Sequence, residues 1–282
     1  MAESSVNTIY IMSKGRPNCV TAQMLTDISY PGEWFIVCGD NDDTYGDYVA
    51  KWGKKKVLLF DWAGYVEKSD LLDPFGVENG RPSGAVPARN AIHDISAKRG
   101  EKRHWQLDDD ISIFYAIDDS TGRKIRIEDG GKLMRYMEHI ARYGERASLA
   151  AIGIDGASLF VSPEDKRKAA RQVFVCYNLR SDEGFIPWRG RMADDLVQAI
   201  DTARTSAGVQ LSIKWFGYAY AASAKTPGGN TDLYNSEGYI RKAGYTTLVM
   251  PHSCHVRFDD EKKPHIRMTY PTAKIISERW ER

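Results

Sequence analysis

The chain has 282 residues, of which 42% are hydrophobic and 27% charged, and its formal net charge is +1. This length suits one large α/β domain, and the composition is ordinary for a soluble globular protein. Because the net charge is close to zero, no overall electrostatic field would draw the chain onto nucleic acid. Nucleic-acid binding would need a local basic surface, for which the candidate runs are residues 51–56, 123–126, 166–171 and 262–267.

The four cysteines are widely spaced and form no C-x-x-C pair, a pattern that argues against zinc and for reduced thiols in a cytosolic protein. The N-terminus lacks the basic region and apolar stretch of a signal peptide, and no apolar window approaches 18 residues. We therefore expect a cytoplasmic protein with no membrane partner.

Short apolar strands alternate with helices in the first part of the chain. Predicted strands cover residues 8–12, 34–38 and 56–60, and predicted helices cover residues 18–29 and 45–51. Brief continuous apolar strands joined by helices are typical of a parallel sheet covered on both faces. The sequence therefore predicts an α/β fold.

The rest of the chain continues this alternation after an irregular segment. Residues 61–83 contain several prolines and glycines and predict a long loop, and a glycine-rich loop is expected at residues 226–231. Further helices are predicted at residues 87–98, 129–143, 192–203 and 234–242, and further strands at 104–107, 149–154, 172–179, 209–220 and 246–250. No composition shift marks a linker, so we expect a single domain.

Three consecutive aspartates follow the apolar run 104–107. If the backbone stays extended, Asp108 and Asp110 lie on one side, about 7 Å apart, and Asp109 lies on the other. Such carboxylates repel each other unless a cation lies between them, and Mg²⁺ or Mn²⁺ prefers these oxygen ligands. The alternative is a capping turn, since aspartate favours loops.

Residues 88–92 (ARNAI) and 104–110 (HWQLDDD), together with residues 10–16 (YIMSKGR), resemble inverting GT-A glycosyltransferases. The resemblance is closest to the phage-encoded TET-associated glycosyltransferases, which modify hydroxymethylated pyrimidines in DNA. It implies a GT-A, Rossmann-like, mostly parallel sheet flanked by helices, with a smaller acceptor-binding C-terminal portion. Residues 1–115 would bind the nucleotide sugar and residues 116–282 the acceptor. It also implies a UDP-sugar donor, a Mn²⁺ or Mg²⁺ cofactor and modified duplex DNA as partner.

The resemblance also implies roles for individual residues near the donor. The loop after the first strand would line the nucleotide pocket, Asp40 would meet the uracil or ribose, and two residues of the A-R-N segment would face the nucleotide or diphosphate. The donor set expected from the resemblance is Ser13, Lys14, Gly15, Arg16, Asp40, Arg89, Asn90, Asp108 and Asp109.

Catalysis and acceptor binding are expected in the second half. The pair Asp194-Asp195 at a helix start resembles the acidic pair of inverting enzymes, with Asp195 as the base; alternatively, the pair only complements the helix dipole. The remaining candidates are His252 and His255 as metal ligands beside Asp108 and Asp110, and Trp188, Arg189 and Arg191 as acceptor contacts.

Other functions stay open at this stage. The same chemistry on a protein, glycan or small molecule is one, and a nucleotidyltransferase is another. A nucleotidyltransferase also uses paired aspartates and a divalent metal, but residues 13–17 (SKGRP) make a poor glycine-rich phosphate loop. A non-catalytic nucleotide-binding module would not need the acidic pair.

Overall fold

The computed structural model describes residues 6–73, 82–118, 120–143, 149–154, 176–182, 184–204, 210–221 and 230–269. Within these ranges, helices alternate with strands, and one nine-stranded sheet takes strands from both halves of the chain. None of the helices described is both long enough and apolar enough to span a membrane.

The strands of the large sheet are β1 (Ile9–Met12), β2 (Trp34–Gly39), β3 (Val57–Phe60), β4 (Arg103–Asp108), β5 (Ile111–Ile117), β6 (Lys124–Arg126), β7 (Leu149–Ile154), β8 (Cys176–Arg180) and β9 (Gln210–Tyr220). The helices are α1 (Val20–Asp27), α2 (Tyr45–Trp52), α3 (Trp62–Lys68), α4 (Val86–Lys98), α5 (Gly130–Tyr143), α6 (Asp194–Arg204) and α7 (Asn230–Val249). A separate hairpin consists of β10 (Cys254–Phe258) and β11 (Pro264–Met268).

The order of strands across the large sheet is β3-β2-β1-β4-β8-β7-β9-β5-β6. Strands β5 and β8 run against the other strands. Most carboxyl ends therefore lie along one edge, which is where open α/β sheets bind ligands. This confirms the expected α/β fold, a mostly parallel sheet flanked by helices.

Alternating side chains of β1 fill the two layers beneath the flanking helices. Ile9 and Ile11 join a cluster with Leu25 of α1, whereas Tyr10 and Met12 join a second cluster with Ile92 of α4. Burying one large apolar side chain stabilises the fold by about 1.5–3 kcal/mol. The two helices are thus fixed on opposite faces, with the carboxyl end of β1 open between them.

The loop prediction for residues 61–83 is wrong in its first part, because α3 begins there. The Asp61 carboxylate caps this helix by accepting a hydrogen bond from the Gly64 backbone N–H at 2.9 Å. A side-chain cap of this kind stabilises a short helix by about 1 kcal/mol. Residues 74–81 lie outside the described part of the chain.

The strand prediction for residues 246–250 is also wrong, because this segment ends α7. The Thr246 hydroxyl bonds back to the Lys242 carbonyl at 3.1 Å, and Met250 packs into an apolar cluster with α6. Packing therefore overrides the preference of β-branched residues for strands. The hairpin that follows was missed. Of the predicted loop 226–231, residues 226–229 lie outside the described part of the chain, and residues 230 and 231 begin α7.

Candidate active site

The three aspartates form the turn at which β4 ends and β5 begins. Thr21, in the first turn of α1, holds the backbone of this turn. Its hydroxyl donates to the Asp108 carbonyl at 2.6 Å and accepts from the Ile111 N–H at 2.9 Å, while its own N–H donates to the Asp109 carbonyl at 3.1 Å. Helix α1 therefore holds the backbone of the aspartate turn in place.

Asp109 points towards the loop after β1, and both of its carboxylate oxygens are engaged. Oδ2 accepts from the Ser13 hydroxyl at 2.6 Å, and Oδ1 accepts from Arg16 Nη1 at 2.9 Å. Because the Ser13 proton is committed, the Tyr48 hydroxyl must donate to Ser13 Oγ, 2.7 Å away. Asp109 thus ties the aspartate turn to the β1 loop.

Asp108 and Asp110 carry negative charge that their surroundings compensate poorly. Burial, and then the charge of Asp109, raises the pKa of Asp110 to about 6. Burial also raises the pKa of Asp108, which Arg89 opposes and Asp110 reinforces. Oδ1 of Asp110 is buried and accepts no hydrogen bond from the residues described. A cation bound at these two carboxylates would compensate their negative charge.

Arg89 bridges the aspartate turn and the acidic pair on α6. Its Nε donates to Asp194 Oδ2 at 2.7 Å, and its Nη2 lies 3.4 Å from Asp108 Oδ1. The guanidinium carbon lies 4.4 Å from the ring centre of Trp188 and 5.0 Å from that of Tyr177. Arg89 is only 4% exposed. Its described contacts are thus with protein carboxylates and aromatic rings, and its expected contact with a nucleotide stays a prediction.

The two acids of the pair have different surroundings. Asp194 is ion-paired with Arg89, whereas Oδ1 of Asp195 accepts from the Leu196 N–H at 2.8 Å. Burial, and then the charge of Asp194, raises the pKa of Asp195, and Lys242 opposes this shift. Just before the pair, Ala193 has a φ of +51°, a left-handed conformation that is uncommon for a side-chain-bearing residue. This turn directs the first residues of α6 to the aspartate edge.

Tyr220, at the end of β9, is a neighbour of these carboxylates that the sequence analysis missed. It is paired with Ile111 of β5, and the next residue, Ala221, donates its N–H to the Asp110 carbonyl at 2.8 Å. Burial, and then the charge of Asp108, raises the pKa of Tyr220, with further contributions from Asp110 and Asp195. Tyr220 is nevertheless 42% exposed. The feature of the sequence that could have identified Tyr220 is an aromatic residue at the end of a predicted strand.

The predicted nucleotide residues gather where β1 and β2 end. Lys14 is exposed, with Nζ 5.8 Å from the ring centre of Trp62, and Asp40 accepts from the Trp62 N–H at 3.0 Å. Gly15 has a φ of +67°, which permits its N–H to donate to Asp42 at 2.9 Å. The structure thus places Ser13 and Arg16 against Asp109, and Lys14 and Asp40 each against Trp62 at the start of α3. Nucleotide binding there stays a prediction.

Asn90 and Trp188 contact each other rather than open space. The Asn90 amide accepts from the Trp188 N–H at 2.9 Å and donates to the Trp188 carbonyl at 3.1 Å. Trp188 itself is 0% exposed, with its ring beneath Arg89. In this structure Asn90 holds the segment before α6, and Trp188 offers no exposed surface to an acceptor.

The two predicted acceptor arginines also have carboxylate partners. Arg189 binds Asp201 through Nε at 2.8 Å and Nη2 at 3.0 Å. Arg191 is 3% exposed and binds Asp73 at 2.6 Å as well as Glu237 on α7. These ion pairs fasten the segment before α6 to its neighbours, and acceptor contact by either arginine stays a prediction.

The predicted histidine ligands lie at the start of the hairpin. His252 and His255 are exposed, and within the described ranges no group of three or more His, Cys, Asp or Glu side chains is arranged to hold a metal ion. A histidine ligand therefore stays a prediction, and the described residues offer at most two carboxylates to one ion.

Comparison with known proteins assigns the chain to a family. The family model described as TET-Associated Glycosyltransferase matches residues 7–219, which include the aspartate turn, Arg89 and the acidic pair. No match was found among curated proteins. A match over this share of the chain, with the fold described above, leads to one conclusion: the chain belongs to the TET-associated glycosyltransferase family and is a glycosyltransferase.

Proposed function

We propose that the protein transfers a sugar from a UDP-sugar to the hydroxyl of a hydroxymethylated pyrimidine in DNA, with inversion and with a divalent cation. The observation that carries this proposal is Arg89, which contacts Asp108 of the aspartate turn and Asp194 of the acidic pair and so places both acidic groups at one edge of the sheet, beside Tyr220 at the end of β9. Two carboxylates suited to a metal and one suited to proton transfer therefore lie around one exposed aromatic ring.

A divalent cation fits the chemistry of the aspartate turn. The Oδ1 atom of Asp110 is buried and has no hydrogen-bond partner among the described residues, so it is available as an oxygen ligand for a hard cation. Mg²⁺ characteristically uses one or two carboxylates and completes its shell with water and substrate phosphates, which suits Asp108 and Asp110. When bound, Mn²⁺ or Mg²⁺ would neutralise charge on the leaving diphosphate.

Asp195 is the better candidate for the base of the pair. The ion pair with Arg89 occupies Oδ2 of Asp194, which leaves this carboxylate less accessible to an acceptor hydroxyl. Within the described residues no hydrogen bond or ion pair joins Asp195 to Arg89. Burial raises the pKa of Asp195, which makes it a stronger base than an ordinary carboxylate. In the proposed reaction, Asp195 takes the proton of the acceptor hydroxyl as that oxygen attacks the anomeric carbon, and UDP leaves.

The DNA acceptor is supported by the family description and by the aromatic ring beside the acids. Enzymes that act on a base inside a duplex extrude it and stack it on aromatic side chains. Tyr220, 42% exposed and beside Asp195, is the candidate stacking surface.

The test is a transfer assay on duplex DNA that contains 5-hydroxymethylcytosine, with a panel of UDP-sugars and either Mn²⁺ or EDTA. Mass spectrometry of the digested nucleosides should show a hexose or pentose adduct in the presence of metal, lost in Asp110→Asn and in Asp195→Asn. Transfer to a free glycan or peptide but not to this DNA would disprove the acceptor. Release of pyrophosphate from a nucleoside triphosphate would favour a nucleotidyltransferase instead.

A further inference from the structure

The β10–β11 hairpin has one face made of basic and imidazole side chains. His255 is paired across the ladder with Arg267, and Arg257 is paired with His265. Residues two apart on a strand share a face, so these four side chains form one surface, called here the basic face. All four are exposed.

The opposite face of the hairpin anchors it to the catalytic part of the chain. Cys254 and Ile266 pack with Met250 and with Leu196 and Ile200 of α6. The segment before the hairpin is fixed as well, because Arg204 of α6 donates to the Ser253 hydroxyl. The hairpin therefore rests on the helix whose first two residues are Asp194 and Asp195.

The stability of the hairpin does not explain the basic face. Neither Arg257 nor Arg267 is ion-paired to a carboxylate within the described ranges. The cross-strand partner of each arginine is a histidine and not an acid, so neither pair gains the stabilisation that opposite charges give across a ladder.

The acidic residues of the hairpin lie mainly in its turn. Asp259 accepts from the Lys263 backbone N–H at 2.8 Å and contacts His265 Nε2 at 2.9 Å, and Glu261 is ion-paired with Lys263. These contacts engage Asp259 and Glu261 with neighbouring groups, and neither acid is ion-paired with the two arginines.

We infer that the basic face binds the phosphate backbone of the DNA acceptor. The two arginines are diagonal neighbours on the ladder, with backbone positions about 7–8 Å apart, and arginine binds phosphate through two parallel N–H donors. A rigid β-ribbon attached to α6 would hold the duplex while a base reaches Asp195. This inference rests on the proposed function, and the hairpin lies outside the residues matched by the family model.

The test is binding of the full-length protein to an unmodified DNA duplex of roughly 20 base pairs, which spans about two helical turns. Binding is measured by fluorescence anisotropy between about 50 and 200 mM salt. The double substitution Arg257→Gln and Arg267→Gln should weaken binding about tenfold and reduce the slope of log K against log salt by about 2. The matched control is Lys98→Gln with Lys102→Gln, exposed residues at the end of α4 and just before β4, outside the candidate basic runs, which removes the same charge. Melting temperatures should be unchanged in both.

The outcomes separate the basic face from the proposed reaction. Equal losses in both double variants would overturn the inference, because they would report net charge alone. Equally tight binding of polyglutamate would overturn the choice of DNA. If the arginine variant loses binding but no sugar is transferred to any acceptor, the proposed reaction fails and the basic face stands. If sugar is transferred to modified DNA and the variant binds normally, only the basic face fails.

Discussion

Arg89 Nε lies 2.7 Å from Asp194 Oδ2, although 105 residues separate the two in the chain. The same guanidinium is 3.4 Å from Asp108, so one buried cation joins the aspartate turn to the acidic pair. Removing one partner of a buried ion pair leaves the other charge uncompensated.

Substitution of Arg89 should therefore affect both stability and catalysis. We expect Arg89→Gln to lower the free energy of unfolding by about 3–5 kcal/mol, because Asp194 is then buried without its cation. Arg89→Lys keeps the charge but cannot donate from two separated nitrogens, so its loss should be smaller. Urea unfolding of both variants tests this, and equal stability of Arg89→Gln and the wild type would contradict it.

Asp110→Asn should separate metal binding from folding. Because burial and Asp109 raise the pKa of Asp110 to about 6, its charge is unfavourable at neutral pH without a cation. We expect the variant to melt at or above the wild-type temperature without ligand. UDP with Mn²⁺ at about 100 times the dissociation constant should stabilise the wild type by about 2.7 kcal/mol, a shift in melting temperature of about 5 °C, and leave the variant unchanged. A metal-dependent shift that survives in the variant would remove Asp110 from the ligand set.

The two acids of α6 should give different phenotypes. We expect Asp195→Asn to lower kcat about 10²- to 10⁴-fold with little change in melting temperature, because it removes a base. Asp194→Asn should instead lower the melting temperature, because it breaks the ion pair with Arg89. The measurement is kcat together with thermal unfolding, and the assignment fails if Asp194→Asn is the catalytically dead, fully stable variant.

Tyr220 should act on acceptor affinity. Base–aromatic stacking contributes about 1–3 kcal/mol, so Tyr220→Ala should raise the KM for modified DNA by about 5- to 150-fold and leave the KM for the UDP-sugar unchanged. Tyr220→Phe keeps the ring and serves as the control. If both variants behave alike, the hydroxyl rather than the ring is the important group.

The free energy of unfolding should depend on pH through His104, which is not one of the residues proposed for catalysis. Burial lowers the pKa of His104 to about 3, and its ring nitrogens contact Ser181 at 2.7 Å and Gln106 at 3.1 Å. The unfolded chain binds this proton below about pH 6.5, whereas the folded chain does not until about pH 3. The stabilisation is therefore complete above pH 6.5 and falls by up to about 1.4 kcal/mol per pH unit below it. Urea unfolding from pH 7 to 5 should show a steeper loss for the wild type than for His104→Gln, and parallel curves would contradict this.

Local patterns in the sequence were sufficient for the framework of the fold. The apolar strands up to residue 60, the helix that starts beside Pro87 and the aspartate cluster after β4 all follow from periodicity, proline position and charge. They fail where tertiary contacts decide: α3 depends on the cap at Asp61, and the end of α7 depends on packing at Met250. The strand prediction there was wrong because a short apolar run is compatible with either a helix or a strand.

By itself, the sequence determined an α/β chain with an aspartate turn at a strand end and an acidic pair at a helix start, because these are features of neighbouring residues. Only the tertiary structure decided how the acids differ. Asp109 is ion-paired with Arg16, and Asp194 is ion-paired with Arg89. Neither arginine forms an ion pair with Asp110 or Asp195. These partners come from distant segments, and burial and pairing of a charge depend on the neighbours that folding brings together.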